Sequence, residues 1–267
     1  MRSLGVARYP RLFALQLRMS LSLGMQYRWN FILDGGLALA WAVVGVVPLA
    51  VAFSARPVLG GWSYEGALVV LGWFTLLKGV LDGAVNPSLI AVVEHIRQGT
   101  LDFVLLKPAD AQFLVSTSKF EPWRVVDVAV ALALFGWAFS RMGRVPAAAD
   151  VALSLVLLAA AVMVLYSVWI LVVSAAFWVV RVDNLSYLFN SIFDFARWPA
   201  SVFKGIWRVV FTVVVPLALM TTFPAQALLG ELALRSAGVA LLGSLVFTGI
   251  ARLVWTAAIR RYTSASS

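Results

Sequence analysis

Cysteine is absent from the 267 residues and histidine occurs once, at His95, so disulfides, thiolate metal sites and histidine clusters are excluded. Charge is scarce as well, at 12% of residues against 62% hydrophobic. No GxxxxGK(S/T) phosphate loop is present, so the chain lacks the usual backbone cradle for ATP. Neither paired carboxylates, nor a Ser/His set, nor an HExxH motif lies in the apolar runs, which argues against the common intramembrane enzymes. No catalytic residue, metal or cofactor of its own is expected. Alternating polar and apolar residues, the mark of a membrane β-barrel, are missing too.

What remains is a set of apolar runs of about 20 residues, the length that crosses roughly 30 Å of hydrocarbon. Such runs must be helices, because a lipid-embedded segment satisfies its own backbone hydrogen bonds. The net charge of +9 sits in Lys and Arg at the ends of these runs, as expected for loops facing cytoplasm and anionic lipid. Membrane lipids, and no nucleic acid, are therefore the expected contacts. The N-terminal arginines precede no short apolar core with a small-residue cleavage site, so no cleaved signal peptide is expected.

In chain order, residues 1–30 place Phe13, Leu17 and Leu21 on one helical side and Arg8, Arg11, Arg18 and Ser22 nearly opposite, reading as an interfacial amphipathic helix or else a solvated leader. Spans follow at 31–53 and 64–90. The second carries Lys78 and Asp82 one turn apart, with Gly79 and Gly83 in small-xxx-small spacing. These four are either a pathway site or a neutralised helix contact, because charges at this depth are costly. Asn86-Pro87 should kink or end the span. The polar stretch 94–120 follows, its Gly99 break and Pro108 stop framing a short amphipathic helix outside the bilayer.

Spans at 123–140 and 151–180 come next. After them the reading divides. Either 184–208 is cytoplasmic and 209–223, with Pro216, is a short fifth span, or 184–203 crosses as a partly polar helix and 209–223 dips in from outside. A last span at 237–258 brings the count to six, with both termini cytoplasmic. The expected fold is all-α: one polytopic membrane domain over 1–267, and a tail at 263–267 reading as disordered.

Two stretches carry a family likeness: GTLDFVLLKPADAQFL at 99–114 and the later FDFARWP and VVPLALMTTFPAQALLG segments. With the six spans and the N-terminal helix, they resemble the ABC-2 family of ABC transporter permeases, specifically a bacterial branch whose ATPase is encoded separately. The resemblance implies a permease of an exporter in the bacterial cytoplasmic membrane, pairing with two copies of an ABC ATPase subunit and with a second permease, identical or homologous. ATP and magnesium would sit on that ATPase. It also implies that 99–108 is a coupling helix and that 204–230 is an external re-entrant region, which favours the second topology. For coupling, Glu94, Arg97, Gly99, Asp102, Lys107 and Pro108 are the expected contacts, with Leu101, Phe103 and Leu105 anchoring apolar sides. Asn190, Asp194 and Arg197 join Lys78, Gly79, Asp82 and Gly83 as pathway or helix-packing residues. A secondary transporter, suggested by the Asn86-Pro87 and Pro216 interruptions, and a passive membrane anchor are the rival readings. Substrate identity is open at this level.

Overall fold

A computed structural model describes residues 8–26, 28–178, 183–211 and 216–261. The proposed disordered tail, the last two residues of the expected 151–180 span and part of the 209–223 segment lie outside the described residues. Five helices among the described residues are long and apolar enough to cross a membrane: Ile32–Ala55, Tyr64–Arg97, Pro122–Met142, Ala148–Phe177 and Leu234–Arg260. They are carried by α2 (Arg28–Ala55), α3 (Tyr64–Val80) running into α4 (Asn86–Arg97), α7 (Val125–Met142), α8 (Ala148–Ser174) and α12 (Leu234–Arg260). The remaining elements are α1 (Arg8–Gln26), α5 (Asp102–Leu105), α6 (Ala111–Ser116), α9 (Asp183–Phe193), α10 (Ile206–Val209) and α11 (Phe223–Leu228).

The most apolar stretch of the second helix is 67% buried, against 17% for the first and 22% for the last, so α3 is the core and α2 and α12 form the rim. Lipid is as apolar as leucine, so close packing rather than water exclusion must hold α3 in place. Small residues supply it. A Cβ at Gly79 would stand 2.8 Å from the Asp127 Cβ, and one at Gly83 would stand 2.9 Å from the Arg124 Cβ, so α7 and the 3₁₀ turn before it rest directly on the backbone of α3 and the turn that follows it.

The Asn86-Pro87 step does not end the helix. Pro87 cannot donate a backbone N–H to the turn before it, and the helix widens there into a π turn over Leu81–Val85 before resuming as α4. The helix therefore continues to Arg97, past Ile90. At about 1.5 Å per residue this helix is longer than the hydrocarbon is thick, so α4 extends beyond it.

The linker to α7 is fastened along the π turn. Ser88 Oγ donates to the Lys119 carbonyl at 2.7 Å and accepts the Lys119 N–H at 3.0 Å, while the Glu121 N–H donates to the Gly83 carbonyl at 2.8 Å.

Residues 189–201 climb through the bundle. Phe189 stacks near Trp169, Phe193 near Phe74, and Ser201 donates to the Gly60 carbonyl while accepting the Trp62 indole N–H at the α2–α3 turn. The climb is not one long helix: α9 gives way to a 3₁₀ turn at Asp194–Arg197 and another at Ala200–Val202. Residues 216–229 then fold back on it, Thr221 donating to the Ala196 carbonyl at 2.9 Å and Thr222 Oγ1 accepting the Ala200 N–H at 3.1 Å.

Candidate functional site

At one end of the bundle, α4 closes at Gly99, whose φ of +67° is the left-handed conformation glycine adopts without strain. His95 Nδ1 and Thr100 Oγ1, 2.8 Å apart, brace the turn. Leu101 is fully buried and anchors the single turn α5. Phe103 and Leu106 point the other way, 71% and 81% exposed. Glu94 and Arg97 form a 3.8 Å ion pair on the exposed last turn of α4, and Lys107 and Pro108 are exposed beyond α5.

The following helix, α6, begins where Asp110 accepts the Phe113 N–H at 3.0 Å, an N-cap that an Asp four residues after the leucine pair is suited to make. The same carboxylate takes both Nη atoms of Arg252 from α12, and Arg252 also reaches Gln112. Gln112 Nε2 and Ser116 Oγ lie 3.0 and 2.7 Å from the Tyr166 hydroxyl of α8. Burial would push the Asp110 carboxyl up, but hydrogen bonds from Arg252 and from the α6 backbone outweigh it and hold it below the usual carboxylate value.

On the other side of α6 lies α1. Its contact stripe is Tyr9, Phe13, Gln16 and Ser20, meeting the Asp110 N–H, Phe113, Thr117 and Phe120. Polar Gln16 and Ser20 lie on this stripe beside Tyr9 and Phe13, while Leu21 is exposed and free to face lipid. The 110–122 segment offers hydroxyl, amide and backbone partners, so hydrogen bonding and not apolarity alone orients the helix.

Deeper in the bundle six charges form an alternating chain. Asp127 pairs with Arg124 at 3.4 Å, Arg124 with Asp82 at 3.2 Å, Asp82 with Lys78 at 3.9 Å, Lys78 with Asp194 at 3.5 Å and Asp194 with Arg197 at 3.4 Å. Arg197 lies over the Phe74 ring at 5.4 Å. Phe74 is ten residues into its helix, about 15 Å from the Tyr64 end, so the chain of charges rises toward the middle of the bundle. At its foot a cleft of about 310 Å³ opens between α1 and the linker, lined by Ser20, Asp34, Lys119, Glu121 and Trp123 among others. Burial, with the Asp82 and Asp34 carboxylates nearby, raises Glu121 above its usual value despite Arg124. Among the described residues no group of three His, Asp or Glu could hold a metal ion.

The sequence matches the model of the ABC-2 family transporter proteins over residues 39–266. The chain belongs to the ABC-2 transporter family. No curated relative and no solved structure matches it.

In this ABC-2 permease the residues singled out from sequence fall into two separate groups. Glu94, Arg97, Gly99, Leu101, Asp102, Phe103, Leu105, Lys107 and Pro108 gather at the loop end; of the three expected apolar anchors only Leu101 is fully buried, Leu105 is half-buried, and Phe103 faces out. Because α5 is a single turn, one side chain fills the available space beneath it. Lys78, Asp82, Asp194 and Arg197 meet in the ion-pair chain, Gly79 and Gly83 lie under α7 and the turn before it, and Asn190 sits half-buried on α9 one turn before Asp194. Sequence reading missed Arg124 and Arg252 as members of these groups. Arg252 did carry a signal, as the one charge within the apolar run 237–258.

Proposed function

We propose that this permease is the membrane subunit of an ATP-driven exporter in the bacterial inner membrane, working with two copies of a separate ABC ATPase and a second permease. The loop end, with both termini, faces the cytoplasm. Residues 184–203 make the fifth of six crossings, α1 lies along the cytoplasmic interface, and 204–230 form an external re-entrant region.

One observation carries the coupling assignment: the loop end offers Phe103 and Leu106 outward while its other side is tied to α12 and α8 through Asp110, Arg252 and Tyr166. An apolar prong beside the charges of Arg97 and Lys107 suits a groove on a soluble partner, because buried apolar anchors dominate such contacts. A push on α5 then reaches two spanning helices through hydrogen-bonded side chains, biasing the bundle between two arrangements.

The test is coexpression with the neighbouring genes and copurification of an ABC ATPase, using Arg97→Glu with Lys107→Glu and, separately, Phe103→Asp. Release of the ATPase by either variant, with the permease still folded, supports the assignment. Retention in both removes it.

A further inference from the structure

We propose that Lys78 and Arg197 form the anion-binding point for an amphiphilic substrate bearing one carboxylate or phosphate, and that Asp194 fills this point as an internal stand-in until substrate arrives. The inference rests on the permease reading above and adds the substrate class.

Charge balance is the first ground. Asp127, Arg124, Asp82 and Lys78 already form a neutral run of four, so Asp194 and Arg197 are not needed to neutralise it. A further pair at this depth is costly to keep unless it is used.

Geometry is the second. Lys78 Nζ and Arg197 Nη2 converge on the same atom, Asp194 Oδ1, at 3.5 and 3.4 Å. These distances exceed the 2.7–2.9 Å of a tight charge-assisted hydrogen bond, so roughly speaking the carboxylate is held by charge and not by fitted bonds. Its side chain is 44% exposed, against 7% for Asp127 at the other end of the chain, so a displaced carboxylate has room to turn away from the two cations. Asp194 also opens a 3₁₀ turn directly after α9, where regular α-helical bonding stops.

The surroundings fit an apolar body. Arg197 lies on Phe74, and next to Asp194 the half-exposed Phe195 begins a row of rings through Phe211 to the exposed Trp207. A hydrocarbon or aromatic tail can lie against the exposed parts of Phe195 and Trp207, which the buried Phe211 joins, while its anion replaces Asp194 between the two cations. Lys78 keeps Asp82 as a partner throughout, so the exchange leaves no cation bare.

Binding can be read on the purified permease in nanodiscs of zwitterionic lipid, with dansyl-labelled undecanoic acid as probe and its methyl ester and amine as controls. The acid should bind about tenfold more tightly than either control, the amount one charge-assisted contact supplies. Asp194→Asn should tighten acid binding by about tenfold, because the internal competitor is gone. Arg197→Gln should weaken it by about the same factor, with Arg197→Lys retaining most of it. The gain in Asp194→Asn is decisive when it is seen for the acid and not for the methyl ester, since apolar surface exposed by a damaged fold takes up both.

Equal binding of acid and ester, or no gain in Asp194→Asn, overturns the proposal. Competition by phosphatidylglycerol added to the nanodisc supports the site and assigns the anion to a bilayer lipid; lack of competition, with the gain intact, supports the site for a free amphiphilic acid. The assay needs no ATPase. Binding without ATPase association therefore keeps the anion site and sinks the coupling assignment, and the reverse result does the opposite.

Discussion

The charges at the loop end and the charges inside the bundle are held in different ways. Arg252 and Asp110 meet in a two-pronged contact at half-exposed positions, where water screens the pair. Arg124, Asp82 and Asp127 are mostly buried against the α3 backbone and have little water to fall back on. The loop-end contact thus links α6 to α12 at little cost to stability, while the inner chain holds helices together and fails badly if one member is lost.

Removing Arg124 should separate the two regions most sharply. Arg124→Ala leaves Asp82 and Asp127 facing each other without their shared cation, and should lower stability by about 3–5 kcal/mol in denaturant unfolding in mild detergent. Gly79→Ala comes next. Its Cβ meets the Asp127 Cβ at 2.8 Å, so α7 must shift, and a loss of about 1–3 kcal/mol is expected in the same assay. Arg252→Ala should change stability by no more than about 1 kcal/mol, yet disconnect substrate transport from ATP hydrolysis in reconstituted vesicles. A stability loss as large as that of Arg124→Ala would erase the contrast between the regions.

The smallest effects concern pH. Asp110 has its folded value below the ordinary one, so its stabilisation is complete above the unfolded value and disappears as pH falls through the lowered one. Melting temperature should therefore be insensitive to Asp110→Asn pH effects near neutrality and should lose part of its acid dependence in that variant. Glu121 behaves oppositely. Its folded value is raised, so the native state holds the proton more firmly, and stability declines as pH rises from the unfolded value through the folded one. Glu121→Gln should flatten that decline in a series of melts across the interval.

Much of the helical framework was legible in the residues. Apolar length located all five long helices, and the helix of the second runs on to Arg97, seven residues past the span's expected end at Ile90, because a proline preceded by a π turn does not stop it. The loop-end motif was legible for the same reason that it is polar: a run of charges between two spans stands out. Its internal arrangement was not, since one turn of helix can bury Leu101 only by turning Phe103 outward. The region after α8 stayed divided in sequence because α9 and the segments after it are short, broken and half-polar, and hydropathy averages over such pieces.

Sequence by itself determined that this chain is a bundle of membrane helices with a polar loop between the second and third, because lipid leaves a long apolar segment no structure but a helix. Which charges meet was decided only by tertiary structure. Asp82, Arg124 and Asp194 come from three distant parts of the chain, and their pairing depends on how far each helix is rotated about its axis. That rotation is set where α7 and the turn before it lie on Gly79 and Gly83 and where Thr221 fastens the returning segment to Ala196; the glycine spacing marked a contact face, but which helix covers it is decided between surfaces distant in the chain.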